Sequence, residues 1–391
     1  MAEHTKLQER TFPMKTVIAI DSFKGSLTSI EAGNAIKKGI LNVLPDTDVI
    51  IKPLADGGEG TTEALVEGLG GEMVLIDVHG PLEAPVKAGY GIIPETNTAI
   101  MEMAAAAGII LVGKDKRPLD ATTYGVGEMI ADAVKRGCRN FIIGIGGSAT
   151  NDGGIGMLAA LGYEFLDKNG QPAGISAGAL KNIASVRTEK VMPELKECRF
   201  RIACDVTNPL CGPNGATYIY GPQKGVADKI KDDLDHALAD YAKLTSLHTG
   251  TDYSNYEGAG AAGGLGFAFL SYLHADLQPG IRLVMDAVKM EDAIKGADLV
   301  FTGEGRLDHQ SAMGKAVTGI AKLAKKHGAP VIALAGAVTD GAEECNHHGI
   351  DAFFPILRQI TTLDEAMDPD TAKQNLTKTA EQIIRLIAAV T

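Results

Sequence analysis

Val17-Ile18-Ala19-Ile20, then Asp21-Ser22-Phe23-Lys24-Gly25-Ser26-Leu27, then Ser29 to Leu41: this stretch decides the fold class. Its first four residues read as a buried strand. Ser29 reads as the N-cap of a helix through Leu41, with Ile30, Ala35, Ile36 and Ile40 marking a 3.6-residue stripe. Working outward, Val49–Lys52 is the next strand and Thr61–Leu69 the next helix. The alternation returns near the other end, with strand Leu299–Thr302, helix Lys315–His327, strands Val331–Ala335 and Phe353–Ile356, and a last helix from about Thr371. Short apolar strands separated by amphipathic helices imply a parallel sheet covered on both faces.

The middle of the chain has another rhythm. Met73–Val78, Val86–Ile93 and Thr98–Met103 follow one another across Gly and Pro turns, with no room for crossover helices, so this part should be antiparallel or mixed. A helix near Tyr124–Arg136 and strands Asn140–Ile145 and Phe200–Ala203 follow. The expected architecture is α/β with two domains. A discontinuous parallel-sheet domain of flavodoxin or Rossmann type takes residues 14–80 plus 290–391, and an inserted mixed α/β domain takes 81–289. Residues 1–13, polar and mixed in charge, read as an N-terminal extension rather than a signal peptide.

Composition removes several classes. The 391 residues carry 37 Lys+Arg against 49 Asp+Glu, a formal charge of −12, with no basic block, which argues against nucleic acid. No apolar run reaches the roughly 18 residues that a membrane span needs. Five cysteines without a C-x-x-C pair suit a reduced, cytoplasmic protein. Glycine is in excess, at 47 residues, and it gathers where strands should end. The clusters are Asp56–Thr61, Gly144–Gly154, Gly258–Gly266 and Thr302–Arg306. Such turns bring backbone N–H groups close to an anion, and here Asp, Glu, Asn, Ser or Thr often accompany them. Gly144–Ala149 also fits G-x-G-x-x-A, with Asp167 about twenty residues on, as in a dinucleotide fold. The next residues, Thr-Asn-Asp-Gly-Gly, make a poor first turn for the helix that motif requires. An NAD-dependent dehydrogenase and a non-catalytic sugar-acid binder are the alternative readings. No Walker A motif is present.

Taken together, Asp21–Leu27, Pro53–Thr61, Gly146–Gly154, Asp205–Leu210, Gly221–Gly225, Gly260–Gly266, Thr302–Asp308 and Gly314-Lys315 resemble the bacterial type I glycerate kinase family. The matches keep the family's order over residues 15–385; Ile20 stands where the family often has Pro, and residues 1–13 have no counterpart. The resemblance implies ATP-dependent phosphorylation of glycerate with Mg²⁺, usually to 2-phosphoglycerate, in a cleft between two α/β domains. Glycerate and ATP are then the partners, and a homodimer stays open.

Phosphoryl transfer needs neutralised charge, alignment and a proton acceptor. Asp205, at a strand end, is the first choice for general base, or else forms an Asx-turn. Asp56 would hold a substrate hydroxyl or Mg²⁺, or cap a helix. Lys24 would hold the carboxylate or a phosphate, or lie in solvent. Asp21, Ser22, Ser148, Asn151, Asp152 and Asn208 are candidates for glycerate, with helix capping the other reading of Asp152. Lys224, Gly303, Arg306 and Lys315 are candidates for the nucleotide, Lys224 otherwise being a solvated loop lysine. Glu304 and Asp308 are candidates for the metal, unless they form a salt-bridged turn with Arg306.

Overall fold

The computed structural model describes residues 14–312 and 316–390. The expected extension, residues 1–13, and the candidate Lys315 lie outside them. The described strands in chain order are β1 Lys15–Ile20, β2 Asp48–Pro53, β3 Glu72–His79, β4 Pro85–Ile93, β5 Thr98–Glu102, β6 Asn140–Gly144, β7 Glu164–Leu166, β8 Ser185–Arg187, β9 Arg199–Ala203, β10 Asp276–Gln278, β11 Leu299–Leu307, β12 Val331–Val338 and β13 Ala352–Pro355.

Two compact units result, each with its own sheet and core. The first holds the chain up to Asp56, Glu67–Leu69 and the chain from Val284 onward. Its sheet has the order β2-β1-β11-β12-β13, and every pair in it is parallel. Counted within the sheet this is 2-1-3-4-5, the flavodoxin-like order. Val17, Ile18, Ala19 and Ile20 are at most 1% exposed, as a strand covered on both faces requires. From β1 the chain moves to one side, towards β2; from β11 it moves to the other, towards β12. The topological switch point therefore lies between β1 and β11, where the carboxyl ends of open α/β sheets leave a crevice.

The helix after β1 is Ser29–Leu41, but its N-cap is Thr28, not Ser29. Thr28-Ser29-Ile30-Glu31 is a capping box: the Glu31 N–H donates to Thr28 Oγ1 at 3.2 Å, and the Thr28 N–H donates to Glu31 Oε2 at 3.0 Å. Ser29 instead ties the helix to the sheet. Its Oγ donates to the Ile20 carbonyl at 2.6 Å and accepts from the Leu54 N–H at 3.0 Å.

A second difference concerns Thr302–Arg306. It is no turn, because β11 runs straight through it to Leu307 and pairs with β12 along its length. Gly303 is needed for close approach, since a Cβ there would sit 1.9 Å from the Leu334 carbonyl oxygen.

The second unit comprises Gly57–Val66 and Gly70–Leu283. Its main sheet has the order β3-β4-β5-β6-β9-β10. The β3–β4–β5 meander is antiparallel and the remaining pairs are parallel, the mixed sheet expected from the short connections. β7 and β8 pair apart from it. The expected boundary at residue 80 falls elsewhere, near residue 56, because β3 hydrogen-bonds β4 along all eight residues. At the other join, Val284–Lys289 groups with the first unit. Helix Asp228–Thr249 was not read from the sequence. It buries only Leu234, Ala237, Leu238, Tyr241, Ala242 and Thr245, a narrow stripe on an otherwise charged helix. No described helix is long and apolar enough to cross a membrane.

Candidate active site

In the first unit the chain leaves β1 into a tight turn. The Phe23 N–H donates to the Leu27 carbonyl at 2.9 Å, and the N–H groups of Ser26 and Leu27 donate back to the Phe23 carbonyl at 2.7 and 3.0 Å. Gly25, with φ of +77°, supplies the left-handed residue this turn needs. The Asp21 N–H donates to the Gly303 carbonyl at 2.9 Å and splices the end of β1 to β11. A cavity of about 450 Å³ opens over this join. Asp21, Ser22, Lys24, Asp56, Glu304, Arg306 and Asp308 all line it. The structure thus gathers seven sequence-selected residues from three separate segments. Gly303 is not among the lining residues; Gly305 is.

The electrostatics favour a bound cation. Burial raises the Asp21 carboxyl from 3.8 to about 7. The Ser22 N–H, 2.7 Å from Asp21 Oδ1, opposes the rise; Asp56 and Glu304 add to it, and Lys24 offsets part. Three acidic groups thus compete for one region of space. Asp56 does not cap the following helix: Gly60 holds that position, with no side-chain bond. Arg306 Nε does pair with Asp308 Oδ2, at 3.2 Å, and Asp308 Oδ1 accepts from the Ser311 N–H at 3.3 Å. Part of that acidic segment is therefore structural. Among the described residues no group of three His, Cys, Asp or Glu side chains could hold a metal by itself. Mg²⁺ commonly takes one or two carboxylates and completes its shell with phosphates and water, so these oxygen donors fit it.

The second unit brings together a different set. Lys224 is 2% exposed rather than solvated. Its Nζ lies 2.6 Å from Ser148 Oγ and 2.6 Å from the Thr150 carbonyl oxygen. Burial lowers its pKa from 10.5 to about 7, against the opposing field of Asp152. Asp152 is fully buried and accepts from the Thr123 N–H and Oγ1, both at 2.8 Å, and from the Gly154 and Gly156 N–H groups. Gly154, not Asp152, is the N-cap of helix Ile155–Ala160, and burial raises the Asp152 pKa. Asn151 Nδ2 donates to Thr217 Oγ1 at 2.8 Å. Thr123 and Thr217 are the partners sequence reading missed, being remote in sequence and without a motif.

Asp205 is exposed just beyond β9, and its Oδ1 accepts from the Gly280 N–H at 3.0 Å. Asn208 is committed to its own loop: Nδ2 donates to the Asn214 carbonyl at 2.8 Å, and Oδ1 accepts from Tyr220 Oη at 2.6 Å. The dinucleotide resemblance at Gly144–Ala149 fails on geometry. No helix follows Ala149 until Ile155, and Asp167 is spent on a turn, accepting from the N–H groups of Asn169 and Gln171.

Comparison with known proteins places nearly the whole chain in one family. A sequence model described as the glycerate kinase family matches residues 16–388. The glycerate 2-kinase of Escherichia coli strain K12 is 47% identical over 354 residues, covering 90% of this chain and 93% of that protein. The glycerate kinase of Halalkalibacterium halodurans is 45% identical over 375 residues, covering 96% and 97%. A crystal structure from Salmonella typhimurium LT2, described provisionally as glycerate kinase 2, superposes with a TM-score of 0.90 at 42% identity, covering 97% of this chain and 99% of that one. The chain therefore belongs to the glycerate kinase family and is a kinase enzyme.

Proposed function

We propose that the protein transfers the γ-phosphoryl group of ATP to a hydroxyl of glycerate, giving 2-phosphoglycerate and ADP. The observation that carries this reading is the crevice at the β1/β11 switch point, where acids, a lysine and an arginine line one cavity. Lys24 holds the glycerate carboxylate or a phosphate, and Arg306 meets the polyphosphate. Asp56 accepts from a substrate hydroxyl, while Asp21 and Ser22 shape the floor of the same cavity. Mg²⁺, held by Glu304 and Asp308, would neutralise charge on the transferring phosphates. Asp205 is the proposed general base, since it is exposed and one of its oxygens is already oriented by the Gly280 N–H.

In the second unit, Lys224 acts through Ser148, setting the loop from Gly146 to Asp152 by its two short contacts. Asp152 and Asn208 act as positioning residues, because their polar atoms bond within the protein, while Asn151 spends only its Nδ2 on Thr217 and keeps its buried Oδ1 without a hydrogen-bond partner. The two compact units are proposed as the functional domains. Five free thiols support a cytoplasmic setting.

The test is direct. Incubation with glycerate and ATP·Mg²⁺ should form ADP, and NMR of the product should place the phosphate on C2. Absence of ADP, or reduction of NAD⁺ by glycerate instead, would overturn the reading.

A further inference from the structure

We propose that the apolar end of the first unit's cavity is the nucleobase subsite, and that its side chains hold the base by shape alone. This rests on the reading that a nucleoside triphosphate is the phosphoryl donor.

The cavity changes character across the sheet. At β1 and β11 it is lined by charged groups. The end of β12 contributes only Gly336 and Ala337. Ile356, Leu357 and Leu363 follow the end of β13, and Met367 carries the same wall back to the turn after β1, with no polar side chain among the four. A nucleotide is amphiphilic in the same sense, with anionic phosphates at one end and a flat, weakly polar ring at the other. Glycerate cannot use the apolar end, because each of its carbons bears oxygen. Two of these side chains are unusually open: Leu357 is 39% and Leu363 72% exposed, and a ring laid against them would remove that surface from water.

The wall is built to stay in place. Leu363–Met367 is a single short helix, held by a capping box in which the Glu365 N–H donates to Thr362 Oγ1 at 3.3 Å and the Thr362 N–H donates to Glu365 Oε2 at 3.2 Å. Thr361 Oγ1 adds a bond to the same carboxylate at 2.7 Å, and these bonds lower the Glu365 pKa. At the far end, Met367 is seated over the turn after β1: its Cε would lie 2.8 Å from a Cβ built on Gly25. The base-binding wall and the Asp21–Lys24 turn are therefore in contact.

A specificity consequence follows. Sites that hydrogen-bond a ligand reject analogues strongly, whereas apolar pockets discriminate weakly. Among the described residues Ile356, Leu357, Leu363 and Met367 bring no polar side chain to this wall, so kcat/KM for GTP should fall within about tenfold of that for ATP.

The chain contains no tryptophan, so Leu363→Trp installs a single reporter on an exposed position. Its fluorescence should change on adding ATP or GTP, and should not change on adding inorganic tripolyphosphate or glycerate. The double variant Leu357→Ala/Leu363→Ser should raise KM for ATP by about tenfold, leaving KM for glycerate and the inhibition constant of tripolyphosphate unmoved. An unmoved KM for ATP, a parallel weakening of tripolyphosphate, or a reporter that answers tripolyphosphate as it answers ATP would overturn the subsite. Discrimination against GTP by more than about a hundredfold would overturn recognition by shape alone. Failure of the donor reading looks different: the wild-type protein would form no nucleoside diphosphate from any triphosphate with glycerate.

Discussion

Lys224 Nζ lies 2.6 Å from Ser148 Oγ, across 76 residues of sequence, in a site only 2% exposed for the lysine and 8% for the serine. The same nitrogen reaches the Thr150 carbonyl. One buried amine thus ties the Pro222–Lys224 turn to the glycine-framed loop. Lys224→Met keeps the side-chain length and removes the donor, leaving the Thr150 carbonyl unserved. Stability near pH 7 should fall by about 1–3 kcal/mol, measured by urea unfolding. The sign with pH is also fixed. The folded pKa is about 7 and the ordinary value 10.5, so the unfolded chain binds more protons between them. This group makes wild-type stability rise across that window, and the variant should lack its share of the rise.

Asp21 behaves in the opposite sense. Its folded pKa is about 7 against 3.8, so between those values the folded chain binds more protons. Stability contributed through this group falls as pH rises from about 4 to 7. Asp21→Asn should therefore raise Tm at pH 7 relative to wild type and have little effect at pH 4, by calorimetry. A divalent cation held by Glu304 and Asp308 would favour the charged form of the neighbouring Asp21 carboxyl, which burial, Asp56 and Glu304 hold protonated at lower pH. Adding Mg²⁺ should raise the wild-type Tm more at pH 7 than at pH 5, and EDTA should reverse the gain.

Asp205→Asn is a clean test of the general base. Asparagine keeps an Oδ1 acceptor for the Gly280 N–H, so the loop is retained while the proton acceptor is lost. The expected outcome is a fall in kcat of about 10²-fold or more, with a small change in KM. Turnover at the wild-type rate would remove Asp205 from the mechanism.

Lys24 is exposed at the cavity, beside Gly25 in the turn after β1. Lys24→Ala should raise KM for glycerate more than KM for ATP if it grips the carboxylate. The reverse ratio in steady-state kinetics would assign it to the nucleotide.

Gly303→Ala should disturb the fold rather than the chemistry. Its Cβ would meet the Leu334 carbonyl oxygen at 1.9 Å, and backbone cannot yield there without separating β11 from β12. A loss of about 1–3 kcal/mol or more is expected by denaturant titration.

Much of the fold is legible in the chain because its cause is local. The run Val17–Ile20, the stripe of the first helix and the helix Thr61–Leu69 show their periodicity within a few residues. The misplaced N-cap has a local cause too, since Thr28 and Ser29 are both able caps and only Glu31, three residues after Thr28, distinguishes them. The extension of β11 through Gly303 and Gly305 was hidden. Glycine ordinarily marks a turn, and here close packing against β12 demands it inside a strand. Helix Asp228–Thr249 escaped notice because its buried stripe is narrow.

The candidate site divides in the same way. Sequence alone established the α/β class, the mixed middle segment and the inventory of acids, amides and lysines beside glycines. These depend on side-chain chemistry and short-range pattern. Only the tertiary structure decided that Asp21, Asp56 and Glu304 share one cavity, that Lys224 is buried against Ser148, and that Ile356, Leu357, Leu363 and Met367 line the same cavity as those acids. Those outcomes depend on strand order and burial. Strand order is set by long-range pairing, so the neighbours that shift a pKa or line a pocket can lie hundreds of residues apart in the chain.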